Sequence, residues 1–376
     1  MYISEFSQME EFIARVRAEK AVAVDTEFLR EKTFYPRLCL IQIGTAKETA
    51  AIDPLLIEDL TPVKELLTDE SVVKIFHACS QDMEVIDHTL GVVAHPIFDT
   101  QLAAAFLGYR MQLGYGALVE AYTGVHLPKA ASLTDWSYRP LDSEQLEYAE
   151  DDVRYLPGIY DQMITSLVKQ NRLSWVMPEF EAFCDPSHWH VDPREAYRRL
   201  KRSNSLTRKQ LALARELCAW RDSMACARDV PRKWILSDET IVEICKLAPQ
   251  SMHKLQRIRG TEQLTSFDCS DICKAVVTGL HCPAQDMPTI QKKPRPSSTM
   301  ESVLDLMYAM VRMVADKSGV ATQLISTRDD LYEFATHPHT SRLSKGWRYD
   351  LVGKQLQALL DGQTGLTVKD GHIEFL

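Results

Sequence analysis

The sequence has no long apolar run and no secretory leader, and each absence excludes a class of protein. A membrane-spanning helix needs about 18–20 consecutive apolar residues, and no segment of the 376 residues approaches that length. The N-terminal residues 1–5 lack the basic start and apolar core of a secretory signal. We therefore expect a cytoplasmic protein that does not enter a membrane.

The cysteines show no pairing pattern. There are nine, and they form neither a CxxC pair nor a zinc-ribbon spacing. Cys269, Cys273, His281 and Cys282 could be drawn as a zinc site, but their spacing matches none of the usual patterns, and Cys269 and Cys273 stand one helical turn apart. Reduced thiols in a cytosolic protein are the favoured interpretation.

The chain as a whole also lacks an excess of positive charge. The formal net charge is −9, which alone argues against a partner as negative as nucleic acid. The average conceals a split, because residues 1–190 hold 15 basic and 30 acidic side chains, whereas residues 191–376 hold 28 and 22. Much of the positive excess lies in one run of residues: Arg194, Arg198, Arg199, Lys201, Arg202, Arg208 and Lys209.

The length of the chain predicts two or three domains, and the first of them is an α/β domain. In residues 1–110, short apolar runs alternate with segments of helical spacing, and residues after Gly114 are almost entirely helical in pattern. Four runs are predicted as strands: Ala21–Val24, Leu38–Gly44, Thr49–Ile52 and Val72–Phe76. Together these patterns predict a mixed sheet flanked by helices, ending near residue 190.

The second half of the chain is helical in pattern and contains an internal repeat. A shift of 90 residues superposes eight apolar positions of the segment after Leu206 on apolar positions after residue 300, beginning with Leu213 on Val303 and Leu217 on Met307. A proline-rich stretch, residues 283–299, separates the two segments. We therefore predict two copies of one small all-α domain, residues 206–282 and 300–376, joined by a linker.

Five residues are candidates for catalytic chemistry. Asp25 and Glu27 end an apolar strand, and because i and i+2 share a face, both carboxylates project together and favour a bound cation. Asp82 follows the next buried run, and Tyr148 and Asp152 are neighbours at i, i+4 on a predicted helix. Taken singly, Asp82 could be a helix cap, Asp152 a solvated helix residue and Tyr148 a core aromatic.

The order Asp-x-Glu, Asp, Tyr-x3-Asp resembles the DEDD exonuclease superfamily in its tyrosine-containing branch. The resemblance is closer still to the ribonuclease D family. It is carried by the sequence motifs Val24–Phe28, Phe98–Leu102 and Trp136–Leu141. Downstream, Trp220-Arg-Asp, Ala227–Pro231 and Ile235–Asp238 look like the HRDC (helicase and RNase D C-terminal) domain. The resemblance implies a ribonuclease H-like exonuclease domain over residues 1–190, followed by HRDC domains over 206–282 and 300–376.

The resemblance implies a metal-dependent 3′→5′ exoribonuclease that trims tRNA precursors and other structured RNAs. The products would be nucleoside 5′-monophosphates. We also expect the protein to be a monomer. Its carboxylates Asp25, Glu27, Asp82 and Asp152 would ligate two divalent cations, Mg²⁺ or Mn²⁺, which prefer oxygen ligands. Tyr148 would orient the attacking water. Asp99 is predicted as a helix cap, and Glu150 and Asp151 are expected on a solvated helix face.

Holding a single-stranded 3′ end requires cations along the backbone and surfaces on which bases stack. The predicted residues near the site are Phe28, His77, Lys129, Trp136 and Arg139. Contacts to the phosphates of a structured RNA are predicted for Arg198, Arg199, Lys201 and Arg202. Two alternatives stay open: a DNA 3′→5′ exonuclease, which the HRDC pair disfavours, and a non-catalytic RNA-binding protein on an exonuclease fold, which the complete carboxylate set disfavours.

Overall fold

The computed structural model describes residues 1–128, 134–185, 187, 192–289 and 296–376. The chain divides into two compact units. The first unit comprises Met1–Glu27, Cys39–Asp185 and Arg295–Leu376, and the second comprises Phe28–Leu38 and Pro186–Pro294. No helix in the described part of the chain is both long enough and apolar enough to cross a membrane.

A six-stranded mixed sheet organises the N-terminal part of the chain. Its strands are β1 (Tyr2–Ile3), β2 (Ala21–Leu29), β3 (Arg37–Gly44), β4 (Thr49–Ile52), β5 (Val73–Phe76) and β6 (Ile97–Asp99). They lie in the order β1-β4-β3-β2-β5-β6. β3 and β4 are antiparallel, whereas β2, β5 and β6 run parallel, with Ala23 opposite Ile75. The four predicted strands are β2 to β5, and the mixed sheet is confirmed.

Helices cover this sheet and continue to residue 183. They are α1 (Phe6–Val16), α2 (Thr61–Thr68), α3 (Ser80–Leu90), α4 (Thr100–Phe106), α5 (Tyr115–Thr123), α6 (Ser143–Arg154), α7 (Leu156–Lys169) and α8 (Leu173–Phe183). The Asp99 carboxylate accepts a hydrogen bond from Leu102 N at 2.9 Å and caps α4, as predicted. A capping box formed by Asp142 and Gln145 fixes the start of α6.

The second unit is a small helical domain built around one long helix. Its helices are α9 (Arg208–Ala227), α10 (Arg232–Ile235), α11 (Asp238–Leu247), α12 (Met252–Leu255) and α13 (Ser266–Leu280), with 3₁₀ turns at Pro193–Arg199, Ser203–Ser205 and Ala284–Asp286. α9 and α13 approach so closely that a Cβ at Gly279 would lie 2.7 Å from the Leu213 Cα. The β2–β3 connection also belongs here, since Phe34 N donates to Asp229 Oδ1 at 3.1 Å.

Residues 298–336 repeat the helix order of residues 208–247. The helices α14 (Ser298–Ser318), α15 (Thr322–Ile325) and α16 (Arg328–Thr336) each begin 90 residues after α9, α10 and α11. The chain continues through a 3₁₀ turn (Arg342–Ser344), α17 (Gly346–Arg348), a π turn (Tyr349–Gly353) and α18 (Lys354–Leu360). The assignment of this segment as a second HRDC domain stays a prediction.

The prediction that residues 300–376 are all-α is wrong at the C-terminus. Residues Leu366–Lys369 (β7) and His372–Phe375 (β8) form an antiparallel hairpin. Its turn consists of Asp370 and Gly371, which have φ values of 51° and 80°. A two-residue Asp-Gly turn with positive φ matches the twist of antiparallel strands and is a strong hairpin signal. The hairpin could therefore have been predicted from the sequence.

Within the first unit, the repeated helices pack against α4 and α8. Ala321 N donates to Ala105 O at 3.0 Å, and the Arg172 guanidinium donates to Ser318 O and to Phe106 O. Two further contacts involve α17. The Trp175 and Trp347 rings stack with centroids 5.5 Å apart and an interplanar angle of 11°, and Arg348 Nη1 lies 2.6 Å from Glu179 Oε1. Residues 298–360 are therefore integral to the first unit.

Candidate active site

Strand β2 and helix α6 bring three carboxylates together. Asp25 and Glu27 lie two residues apart on β2, so their side chains project from one face. Asp152 approaches from α6, and ligand oxygens of Asp25, Glu27 and Asp152 all lie within 4.8 Å of one another. In the described residues this is the one cluster of acidic, histidine or cysteine side chains suited to a metal ion. All nine cysteines are free thiols.

Tyr148 lies beside Asp152, as the i, i+4 spacing on α6 predicts. The Asp152 carboxylate is close enough to raise the pKa of the Tyr148 hydroxyl, after the larger effect of burial. The Tyr148 ring stacks against Trp136, with centroids 6.0 Å apart and an interplanar angle of 29°. Tyr115, at the start of α5, donates its hydroxyl hydrogen bond to Asp151 O at 2.5 Å. These contacts hold the part of α6 that carries Tyr148 and Asp152.

The fourth predicted ligand, Asp82, is held by the residue between Asp25 and Glu27. Thr26 donates to Asp82 Oδ1 twice, from Oγ1 at 2.5 Å and from its backbone N at 3.1 Å. Both side chains are buried. Asp82 is outside the cluster of three, yet its charge raises the pKa of Asp25. The structure therefore places Asp82 beside the cluster with one oxygen fixed by Thr26.

The site is strongly unfavourable for uncompensated negative charge. Burial raises the pKa of Glu27 to about 8 and those of Asp82 and Asp152 to about 7. Burial, followed by repulsion from Asp82, Asp152 and Glu27, raises the pKa of Asp25 well above its usual range. The pKa of Tyr148 is also raised, first by burial and then by Asp152, so its hydroxyl is a donor at neutral pH.

The donor set fits a hard divalent cation. Three carboxylates converge, and no nitrogen or sulfur ligand joins them in the described residues. Their pKa values are raised by burial first and then by mutual repulsion, and a bound cation would offset both effects. Asp25, Glu27 and Asp152 are therefore the residues that would hold it, with Asp82 alongside.

Two of the residues predicted to bind substrate, Trp136 and His77, have well-defined protein partners. Trp136 is only 3% exposed and packs on Tyr148. His77 lies with Nδ1 2.9 Å from Thr100 Oγ1 and Nε2 3.0 Å from Leu113 O. Burial lowers the pKa of His77, so a neutral ring is favoured. Phe28 is half-buried near the end of β2. Trp136 and His77 thus support the walls of the site, and their contact with RNA stays a prediction.

Arg139 has a structural role. Its guanidinium binds Asp53 through Nε and through Nη2, the latter at 2.9 Å, and also donates to three backbone carbonyls, those of Cys39, Trp136 and Tyr138. An arginine has five N–H donors, and these five hydrogen bonds use them. Asp53 is fully buried. Arg139 therefore fixes the Trp136 segment and has no donor left for a phosphate. Lys129 lies outside the described residues.

The basic run predicted to contact RNA lies in the second unit. Arg194 pairs with Glu216 at 2.6 Å, and Arg208 donates to the carbonyls of Ala284 and Met287. Arg198 pairs with Glu195 and lies over the Tyr197 ring. The side chains of Arg199, Lys201 and Arg202 are exposed.

Sequence reasoning missed two supporting residues and misplaced two acids. Thr26 occupies the unspecified position of the Asp-x-Glu motif, so no role was predicted for it. Tyr115 belongs to no motif that was recognised in the sequence. Glu150 and Asp151 were expected on a solvated face, but both are half-buried and pair with Arg154, at 3.2 and 2.7 Å. The turn of α6 next to Asp152 is therefore partly buried and carries both acidic and basic side chains.

Comparisons with known proteins agree with this arrangement. The family model described as 3′-5′ exonuclease matches residues 1–167, and that of the HRDC domain matches residues 210–265. Ribonuclease D of Nitrobacter hamburgensis is 36% identical over 377 residues, covering 99% of this chain and 98% of its own. Ribonuclease D of Granulibacter bethesdensis is 37% identical over 371 residues, covering 96% and 92%.

A solved structure is similar over the same extent. The crystal structure of Escherichia coli RNase D, described as an exoribonuclease involved in structured RNA processing, superposes with a TM-score of 0.85 at 29% identity and covers 96% of this chain and 98% of its own. The predicted family, fold class and enzyme type are confirmed. The chain belongs to the ribonuclease D family of 3′→5′ exoribonucleases.

Proposed function

We propose that this exoribonuclease uses two divalent cations, Mg²⁺ or Mn²⁺, to remove nucleoside 5′-monophosphates from the 3′ ends of tRNA precursors and other structured RNAs. The observation that carries the proposal is the convergence of Asp25, Glu27 and Asp152 within 4.8 Å, beside Asp82. Bound divalent cations would supply an activated water and neutralise charge on the leaving oxygen. The nine free thiols suit a reducing compartment such as the cytoplasm.

The chain's own residues have separable tasks in this proposal. Asp25, Glu27 and Asp152 hold the cations, with Asp82 as the fourth ligand oriented by Thr26. Tyr148 donates a hydrogen bond and thereby orients the water; because its pKa is raised, it does not act as a base at neutral pH.

The preference for RNA is supported by the relatives and by the charge distribution. Escherichia coli RNase D, of similar fold over its full length, is described as acting in structured RNA processing. The catalytic half of this chain is acidic, whereas the exposed cations Arg199 and Lys201 belong to the second unit, which contains the HRDC match. We propose that the single-stranded 3′ end enters the acidic site while cations of the second unit contact phosphates of the RNA body.

The deciding experiment incubates the purified protein with a 3′-extended tRNA and with a DNA strand of matched sequence, in Mg²⁺ or in EDTA. We expect stepwise trimming of the RNA, release of 5′-monophosphates and complete inhibition by EDTA. Equal or faster cleavage of the DNA would favour the DNA exonuclease alternative.

Two variants complete the test. Asp25→Asn and Asp152→Asn should abolish trimming while leaving RNA binding in EDTA largely intact. Binding without trimming by the wild-type protein would favour the non-catalytic alternative, and retained trimming by both variants would overturn the two-cation mechanism.

A further inference from the structure

The second unit contains a cavity of about 320 Å³ with a mainly charged lining. Five basic and three acidic side chains contribute to it. The basic residues come from three parts of the sequence: Arg199 and Lys201 from the run after the exonuclease domain, Arg221 from α9, and Arg232 and Lys233 from α10. In a chain whose net charge is −9, this local excess of positive charge stands apart.

Two of the three acids are already committed to protein partners. Asp238 receives Arg221 Nη1 at 2.6 Å on one oxygen and the Lys201 backbone N at 3.1 Å on the other. Asp222 lies 2.9 Å from Arg232 Nε. These pairs account for Arg221 and Arg232; Arg232 also lies 4.4 Å from the centre of the Phe34 ring.

Three cations are left over. In the parts of the chain that the structure describes, the side chains of Arg199, Lys201 and Lys233 form neither an ion pair nor a hydrogen bond. Two acids offset their charge in part: Asp238, whose charge interacts with that of Lys201, and Glu239. All three cations are exposed at the cavity. Like charges that line one cavity repel each other, and a bound anion relieves this repulsion. A phosphate group, with several acceptor oxygens, is complementary to such a set.

We propose that this cavity is a binding site for a backbone phosphate of RNA, and that Arg199, Lys201 and Lys233 are its contacts. The inference rests on the proposed function, since it names where the RNA body is held during trimming. It also divides the basic run. Arg198 is neutralised by Glu195 and covers Tyr197, and Arg202 does not line the cavity, so neither is a principal contact.

This division provides a matched comparison. Arg199→Ala/Lys201→Ala and Arg198→Ala/Arg202→Ala remove the same charge from the same segment. Binding of a 3′-extended tRNA is measured by fluorescence anisotropy in EDTA over a KCl series. We expect the cavity pair to lower affinity about tenfold and to reduce the salt slope by about two, with the control pair close to wild type. Lys233→Ala, on a different element, should reduce the slope by about one.

Each alternative outcome leads to a distinct conclusion. Equal losses in the two pairs, or no loss in the cavity pair and in Lys233→Ala, would overturn the site. Saturable displacement of RNA by inorganic phosphate at constant ionic strength, present in wild type and lost in the cavity pair, would support the site, because the two ligands then compete for one anion position. Trimming of a short single-stranded RNA by the wild-type protein tests the proposed function separately. If the wild-type protein failed to trim that RNA, the proposed function would be wrong, whereas the comparison of tRNA binding would still decide the cavity.

Discussion

Thr26 and Asp82 are joined by two hydrogen bonds to one carboxylate oxygen, from Oγ1 at 2.5 Å and from the backbone N at 3.1 Å. Thr26 lies between Asp25 and Glu27, so the strand that supplies two of the acidic residues also orients a third. Both Thr26 and Asp82 are buried, which protects this geometry from water. Thr26 is therefore a positioning residue for the site.

We expect Thr26→Val to lower Mn²⁺ affinity and trimming rate roughly 10–100-fold, the usual cost of removing a hydrogen-bond partner from a metal ligand. Mn²⁺ binding is measured directly by electron paramagnetic resonance, without substrate. Thr26→Ser keeps the hydroxyl and should stay near wild type. If Val and Ser behaved alike in Mn²⁺ binding, the hydroxyl would have no positioning role.

The carboxylate cluster should destabilise the metal-free protein as pH rises. The folded-state pKa values of Glu27, Asp82 and Asp152 are about 7–8, well above the ordinary values near 4. Between these limits the folded state binds more protons than the unfolded state, so stability falls as pH increases. Below pH 4 both states are protonated and this effect vanishes.

Asp25→Asn removes one of these charges. In EDTA, we expect its Tm to exceed that of wild type at pH 8, by about 2–4 °C for each kcal/mol of repulsion removed, with a smaller difference at pH 5. Saturating Mg²⁺ should reverse the order, because only the wild type gains the full binding energy. A Tm difference independent of pH would contradict the assigned cause.

Divalent-cation affinity should increase with pH over the same range. Binding to Glu27, Asp82 and Asp152 displaces protons from groups with pKa values of about 7–8. Isothermal titration of Mn²⁺ at pH 6 and pH 8, in buffers of different ionisation enthalpy, reports both the affinity and the protons released. Identical affinities with no proton release would show that the carboxylates are already ionised.

Tyr148→Phe separates the hydroxyl from the ring. The Phe ring can keep the stacking on Trp136, whereas the hydroxyl beside Asp152 is lost. We expect kcat to fall about 100-fold with Mn²⁺ affinity nearly unchanged. Tyr138→Phe, at a tyrosine that is 70% exposed, is the matched control. An unchanged kcat in Tyr148→Phe would rule out a role of the hydroxyl in orienting water.

Arg139→Ala should act on stability. It would leave the fully buried Asp53 without its cation, and breaking a buried pair costs about 3–5 kcal/mol. Urea unfolding monitored by circular dichroism measures this, with the exposed Arg110→Ala as control. Addition of Asp53→Asn should recover part of the loss. A variant of wild-type stability with weakened RNA binding would instead restore Arg139 as a substrate contact.

The sequence predicted features that depend on local pattern. Strands β2 to β5 were recognisable because each is an apolar run, whereas the two- and three-residue strands β1 and β6 are too short to carry a pattern. The pairing of Tyr148 with Asp152 follows from helical spacing. These predictions needed no knowledge of the rest of the chain.

Features that depend on distant partners could not be predicted. In the sequence alone Arg139 has no evident partner, because Asp53, to which it binds, lies 86 residues away. The bond from Thr26 to Asp82 spans 56 residues. The basic run looked uniform in sequence, yet its members differ in whether a neighbouring acid neutralises them. In each case tertiary packing, which one sequence does not reveal, decides the role.

The packing of residues 298–360 on α4 and α8 has a consequence for how deletion studies should be interpreted. Removing this segment would uncover Trp175 and leave Arg172 and Glu179 without the partners described above. A C-terminal truncation would therefore damage the folding of the nuclease itself, and a resulting loss of activity could not be attributed to a lost RNA contact. Point substitutions on exposed side chains are the informative way to dissect this enzyme.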